Sequence, residues 1–351
     1  MIARGTAVDI PTFVRIKPGA LDRLGIYAAR HRHRRVAMIV SEGLPAAIVE
    51  RAEHSLRAEG AERIDRIDAG AASFEAASAL FARLPTACDA VVGLGGGKAL
   101  DVAKYVAFLA GRPMYAVPSS LSNDGFCSPQ SSLTLGGARR SLTARLPFAV
   151  VVDTAVCLGA PVVLWWSGVG DLAAKVTAVR DWKLSYHASG EPVDDFAALL
   201  SDATVSQFLA RPTRDDEGMR LLGTALMLNG IAMAVCGSSR PASGSEHLIS
   251  HALDAISSRP RLHGLQVGVA TYLVSRLQGQ GTDRIAEAFD RTGFWDGIRA
   301  DPFSRAEWLE AVRLAPSINP GRYTVLSTRD CVGEVAGMID GDPALRGCFE
   351  E

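Results

Sequence analysis

The feature that most constrains this chain is the alternation of short apolar runs with helical segments up to Asp153. Val36-Ala37-Met38-Ile39-Val40 is a continuous apolar run of strand length, the pattern of a strand buried on both faces. Pro45 opens a helical pattern that closes near Gly60, Ile64–Ile67 reads as a second strand, and Ser73 reads as the N-cap of a helix through Leu84. Asp89–Leu94 is a third strand and runs straight into Gly95-Gly96-Gly97. A helix follows over Lys98–Leu109, and then a fourth strand, Met114–Val117, stops at Pro118. This rhythm requires a mostly parallel sheet with helices on both faces. Ser131–Leu142, with Gly136-Gly137 inside, predicts a hairpin. Beyond Asp153 the segments 166–189, 193–210, 215–236, 243–257 and 263–279 have helical spacing or length. The change falls at Gly159-Ala160-Pro161. It predicts an α/β domain over 1–158 and an all-α domain over 159–351.

A length of 351 residues suits two domains, and 48% hydrophobic with 21% charged residues is enough to bury a sizeable core. A net charge of −1 removes any bulk electrostatic case for nucleic-acid binding. The basic run His31-Arg32-His33-Arg34-Arg35 reads as a solvated loop before the first strand. Six cysteines without C-x-x-C spacing, and no signal peptide, read as reduced thiols of a cytoplasmic protein. The most apolar region, Val150–Val169, is interrupted by Asp153 and Pro161 and is too broken for a transmembrane helix. Trp165-Trp166 reads as core.

Gly95-Gly96-Gly97-Lys98 lies between a strand and a helix. Missing side chains let backbone N–H groups approach a pyrophosphate, and a helix N-terminus favours its negative charge. The pattern is not G-x-G-x-x-G, so the usual dinucleotide fingerprint is absent. Asp101 falls on the first helical turn, as a cap or an orienter of the loop. Pro118-Ser119-Ser120-Leu121-Ser122-Asn123-Asp124-Gly125 follows the next strand, where open α/β sheets bind ligands. Glu42, after the first strand, reads equally as a ribose contact or a surface acid.

Three of the seven histidines, His247, His251 and His263, fall close together. His247 and His251 are four apart and share one helical face. A carboxylate with two imidazoles leaves a divalent metal one open position, as in catalytic zinc sites. Asp171, in Gly168-Val169-Gly170-Asp171, is the carboxylate that stands out. It reads as lying in a glycine-rich break at the start of a helix. Spacing alone does not select which three groups would bind.

The order of glycine loop, P-S-S-x-S-N-D-G, G-V-G-D, S-G-S-E-H-x-x-S-H and L-H-G-x-Q-V-G resembles the glycerol-1-phosphate dehydrogenases. These belong to the broader superfamily of iron-containing alcohol dehydrogenases, glycerol dehydrogenases and dehydroquinate synthases. The resemblance runs from about Ile10 to Leu326 and includes Ser239-Arg240-Pro241-Ala242-Ser243 and Gly321-Arg322-Tyr323-Thr324. It implies NAD or NADP held at Gly95, Gly96, Gly97, Lys98 and Ala99, at Ser119, Ser120, Leu121 and Ser122, and at Ser128. It implies a divalent metal, zinc, on Asp171, His247 and His263, and substrate contacts at Asp124, Asp171 and His251. Two positions depart from the family pattern: Ser119 replaces a threonine, and Asn123 replaces the histidine of H-D-G.

The reading is a metal-dependent NAD(P)-linked oxidoreductase interconverting a small polyol phosphate and its ketone, with Asp124, Asp171 and His251 as catalytic residues. Arg240, just before the metal-binding helix, is the candidate for gripping the phosphate. A tie from its loop to a nearby carboxylate is the equal alternative. The expected partner is a small phosphorylated substrate, with no nucleic acid and no membrane span, and the chain is expected to form a homo-oligomer. Three other readings compete. One is a sugar-phosphate cyclase of the dehydroquinate-synthase type, disfavoured by only five lysines. Another is a polyol dehydrogenase acting on an unphosphorylated substrate. The third is a non-catalytic nucleotide-binding scaffold.

Overall fold

The computed structural model describes residues 10–351; residues 1–9 of the expected first domain lie outside them. The first part runs Phe13–Lys17 (β1), Leu24–Arg30 (α1), Arg35–Val40 (β2), Ala46–Ala58 (α2), Arg63–Asp68 (β3), Phe74–Arg83 (α3), Ala90–Gly95 (β4), Gly97–Ala110 (α4) and Met114–Pro118 (β5). A hairpin of Gln130–Leu135 (β6) and Ala138–Thr143 (β7) follows, then Ala149–Asp153 (β8) and Thr154–Gly159 (α5). Six strands form one sheet in the order β1-β8-β5-β4-β2-β3, and every pairing in it is parallel. β4, β5 and β8 are buried throughout, as is β2 after Arg35, because helices cover both faces. Val36, Met38, Val40, Val92, Leu94 and Val117 pack with Leu24, Tyr27, Val49 and Leu56 of α1 and α2. Ser73 caps α3, accepting from the Ala76 N–H at 3.1 Å.

Two strands escape a pattern reading. β1 is an edge strand whose Arg15 and Lys17 break its apolar run, and β8 merges into the apolar stretch that follows it. The basic run before β2 is exposed, as its composition implies, at His31, Arg32, Arg34 and Arg35; His33 alone is half-buried. His33 Nδ1 lies 2.8 Å from the Tyr115 hydroxyl, and the His31 and His33 rings meet Phe148 edge-on.

From β2 the chain steps to β3 on one side and then to β4 on the other, so the strand order reverses between β2 and β4. Ligands of open α/β sheets bind beyond the carboxyl ends of the strands at such a switch point. The glycine turn lies there.

The chain through Ser120, with Gly125–Ala160, forms one compact unit; Leu121–Asp124 with Pro161–Glu351 forms a second. The second contains Val162–Ala173 (α6), Lys175–Ser189 (α7), Asp195–Ala210 (α8), Asp216–Cys236 (α9), Ser245–Ile256 (α10), His263–Leu277 (α11), Thr282–Thr292 (α12), Phe294–Arg299 (α13), Arg305–Ile318 (α14) and Val332–Gly341 (α15). It is helical except for a parallel pair of two-residue strands, Phe303–Ser304 (β9) and Phe349–Glu350 (β10). The expectation of an all-α domain missed that pair, which is too short to carry a period. Trp165 is buried, and Trp166 donates to the Thr292 carbonyl at 2.9 Å. Two stretches, Val162–Ser189 and Asp216–Cys236, are long and apolar enough to cross a membrane by length and composition. Their most apolar windows are 78% and 56% buried inside the protein, as core helices are. Among the described residues no disulfide forms, and the cysteines are buried apart from the half-buried Cys236.

Candidate functional site

Two glycines bring the central cluster of the second unit together. A Cβ on Gly170 would stand 2.1 Å from the Gly264 carbonyl oxygen, and one on Gly264 would stand 1.8 Å from that of Ser167. Without those atoms α6 and α11 touch backbone to backbone. Asp171 follows the first glycine and His263 precedes the second, so the contact sets the carboxylate beside the imidazole. Asp171 therefore lies in the last turn of α6, within the helix. The sequence reading, which set it at a helix start, is corrected: Gly168 and Gly170 serve close packing and do not break the helix.

α10 supplies the second imidazole. His247 Nε2 is 3.6 Å from Asp171 Oδ1, and His263 Nε2 is 3.8 Å from the same oxygen. One donor atom from each of the three residues lies within 4.8 Å of the others. Two imidazoles and one carboxylate form a donor set suited to a divalent cation with an open position.

The surroundings orient each donor. Glu246 is fully buried, and its Oε1 lies 3.0 Å from His247 Nδ1. The same carboxylate accepts from the Gly244 N–H at 2.5 Å and the Thr177 hydroxyl at 2.8 Å. His263 Nδ1 lies 3.1 Å from Ser250 Oγ, which also accepts from Gln266 Nε2 at 3.0 Å. With each Nδ1 engaged, each Nε2 faces Asp171; a ligating imidazole is usually held in this way. Asp171 Oδ2 points elsewhere, accepting from the Asp124 N–H at 3.1 Å and from Lys175 Nζ at 3.4 Å. Lys175 also pairs with Asp124 Oδ2 at 2.8 Å.

Burial opposes ionisation of Asp171, but Lys175 and then the His247 hydrogen bond outweigh it and hold the carboxyl well below its usual range. Burial, and to a lesser degree His247, lowers His263 well below the ordinary imidazole value, which keeps it neutral and able to donate a lone pair. Asp124 is pushed up by burial against the pull of Lys175.

The first unit holds the glycine turn. Gly95 has φ +141°, and a Cβ there would stand 2.2 Å from Ser41 Oγ. That hydroxyl accepts the Gly96 N–H at 3.0 Å, tying the ends of β2 and β4 together. Gly96 has an extended backbone, and a Cβ on it would meet nothing within 4 Å. Gly97, Lys98 and Ala99 open α4, whose first N–H groups have no intrahelical partner. Asp101 does not cap the helix; it is buried and paired with Lys104 Nζ at 3.3 Å. Lys104 also donates to the carbonyls of Gly125 at 2.6 Å and Gln130 at 2.7 Å, which anchors the loop bearing Ser128. Ser119 and Ser120 end the first unit's stretch after β5; Leu121, Ser122 and Asp124 belong to the second. The Ser122 carbonyl accepts from Ser167 Oγ at 2.9 Å, and Ser128 Oγ bonds both the N–H and the carbonyl of Gln130. Glu42 is exposed beyond β2.

His251 stands exposed one turn beyond His247, its ring stacked 5.8 Å from that of His263. Arg240 departs from its expected role. It is buried and meets Glu191 through both Nε, at 2.8 Å, and Nη2. It donates besides to the Tyr323 carbonyl at 2.9 Å and to Ser185 Oγ at 3.2 Å. With four of its five N–H groups engaged, it ties its loop to a carboxylate, and the phosphate grip is corrected to that brace. Sequence reasoning missed Ser41, Lys175, Glu246, Ser250 and Gln266. Only Lys175, four residues after Asp171, carried a spacing signal.

A parallel switch-point sheet with a glycine turn, and a helical unit with a His/His/Asp cluster, define a class. A family model described as iron-containing alcohol dehydrogenase matches residues 15–161. The fold resembles the crystal structure of a probable glycerol dehydrogenase from Sinorhizobium meliloti 1021, with TM-score 0.74 and 21% identity over 94% of this chain and 98% of that one. It also resembles glycerol dehydrogenase from Schizosaccharomyces pombe, with TM-score 0.72 and 18% identity over 97% and 92%. These likenesses bear on the fold alone. Two curated proteins named glycerol-1-phosphate dehydrogenase [NAD(P)+] match nearly end to end. The protein from Aeropyrum pernix is 36% identical over 95% of this chain and 96% of its own length, and that from Methanothermobacter thermautotrophicus is 36% identical with the same coverage. The chain belongs to the glycerol-1-phosphate dehydrogenase family.

Proposed function

We propose that the chain is an NAD(P)-dependent, metal-dependent dehydrogenase that interconverts glycerol-1-phosphate, or a closely related polyol phosphate, with its ketone. The observation that carries the reading is the convergence of Asp171 Oδ1, His247 Nε2 and His263 Nε2, each with its other polar atoms engaged elsewhere. In this reading the α/β domain (1–158) binds the dinucleotide and the helical domain (159–351) binds metal and substrate.

A divalent ion, zinc by the donor set, would act there as a Lewis acid on the substrate's carbonyl or alkoxide oxygen, while the nicotinamide carries the hydride. Gly96 leaves a space that a side chain would fill, and the N–H groups of Gly97, Lys98 and Ala99, at the start of α4, would receive the cofactor's pyrophosphate. Ser119, Ser120, Leu121, Ser122 and Ser128 complete the cofactor contacts of the proposal. Asp124, held by Lys175, accepts a substrate hydroxyl. His251 holds or passes a proton at a ring nitrogen facing the substrate oxygen. Thiols that form no disulfide among the described residues suit a reducing, cytoplasmic setting. Phe196 and Leu199, 62% and 65% exposed on α8, suit a homo-oligomer.

The test is a panel of phosphorylated and free polyols and ketoses, given to zinc-loaded protein with NADH and with NADPH. Oxidation of the nicotinamide in step with reduction of dihydroxyacetone phosphate is the expected result. Product formed without net nicotinamide change would overturn the reading in favour of a cyclase, and a preference for free glycerol would remove the phosphate from it.

A further inference from the structure

A lysine ammonium is an adverse neighbour for a divalent cation, because like charges repel strongly in a low-dielectric interior. Lys175 is nevertheless fully buried against the Asp171 carboxylate. Its three N–H donors meet Asp124 Oδ2 at 2.8 Å, Asp171 Oδ2 at 3.4 Å and the Ala242 carbonyl at 3.3 Å. The Asp124 N–H adds a second donor to the same Asp171 oxygen at 3.1 Å. The two oxygens of Asp171 are thus divided. Oδ2 faces an ammonium and an amide; Oδ1 faces His247 Nε2 at 3.6 Å and His263 Nε2 at 3.8 Å.

We propose that Lys175 is a positioning residue that confines Asp171 to one-oxygen ligation and so keeps a coordination place open for the substrate. The proposal rests on the reading of Asp171, His247 and His263 as a metal site. Carboxylates bind metals through one oxygen or through both. With two imidazoles, a two-oxygen Asp171 would fill four places, the number zinc takes in closed structural sites. The ammonium prevents this in two ways: it occupies Oδ2, and it repels a cation from that side. It also neutralises Asp124, which would otherwise lie buried and uncompensated beside Asp171.

The test compares wild-type protein with Lys175→Met, each loaded with cobalt(II), whose visible bands shift when azide takes an open coordination place. Methionine keeps the stem and removes the charge. Expected for the variant are one cobalt per chain, bands that azide no longer shifts, and a KM raised about tenfold or more with kcat changed less, the mark of lost uniform binding. If Lys175→Met does not fold, Lys175→Met with Asp124→Asn has the same net charge as wild type, and its azide response is read instead. A wild-type azide shift in the folded variant would overturn the proposal and leave Lys175 as a counter-charge only. Failure of the underlying metal reading looks different: wild type itself takes up no cobalt, or His263→Ala keeps the wild-type bands.

Discussion

Glu246 adjoins His247 in the chain, and neighbouring residues on a helix do not normally face each other. Here the acid sits in the first turn of α10 and folds back over its own helix start, reaching the Gly244 N–H and His247 Nδ1 with one oxygen. Replacing it by Gln keeps an oxygen for the Gly244 N–H and His247 Nδ1 but removes the carboxylate charge and sets an amide N–H against the Thr177 hydroxyl, so the hold on the His247 imidazole and its basicity weaken. Glu246→Gln is expected to weaken zinc or cobalt binding by about 10- to 100-fold, read by competition with a chelator. Equal affinity in a folded variant would show that the acid does not orient the ligand. The two histidines were legible because His is rare in this chain and clusters here. Glu246 was visible as a letter but not as a partner, since its contact depends on the path of a helix start. Arg240 misled for a related reason: a guanidinium before a metal-binding helix looks the same whether it waits for phosphate or already holds Glu191.

At the scale of elements, the β4–α4 junction separates a glycine that the backbone requires from one that it does not. Gly95, at φ +141° and 2.2 Å from Ser41 Oγ through its absent Cβ, is a backbone requirement. Gly95→Ala should destabilise the protein by about 2–4 kcal/mol, combining backbone strain with a clash at the end of β2. Gly96 has φ −80° and ψ 175°, a conformation that valine adopts readily, with open space around its Cβ. Gly96→Val should keep the wild-type melting temperature and lose NAD(P) affinity, measured by nicotinamide fluorescence. Equal affinity would move the cofactor away from this turn. The sequence showed three glycines and a helix start; it did not distinguish their duties, because the difference lies in Ser41, which another strand brings alongside. The central strands and long helices were readable from their periods. β1, β8, β9 and β10 were not, since edge position, fusion to a longer apolar run and two-residue length each erase the period.

On the scale of the whole molecule, the proposed function assigns a different ligand to each of two compact units. Linkage turns that division into a measurement. A ligand present at a hundred times its Kd, bound only by the native form, stabilises it by about 2.7 kcal/mol. Zinc should therefore raise the melting temperature of the full chain and a chelator should reverse it; NAD(P)H should raise it independently. The variants assign each shift to its unit. Gly96→Val should lose the NAD(P)H shift and keep the zinc shift. His263→Ala should lose the zinc shift and keep the NAD(P)H shift, because its imidazole contributes to the cluster and nothing in the glycine turn depends on it. Calorimetry of the four combinations checks this whether the units melt together or apart, since only the presence of each shift is read. If His263→Ala keeps a full zinc shift, the metal is held elsewhere; if Gly96→Val abolishes both, the turn is a structural element whose loss unfolds more than the cofactor site.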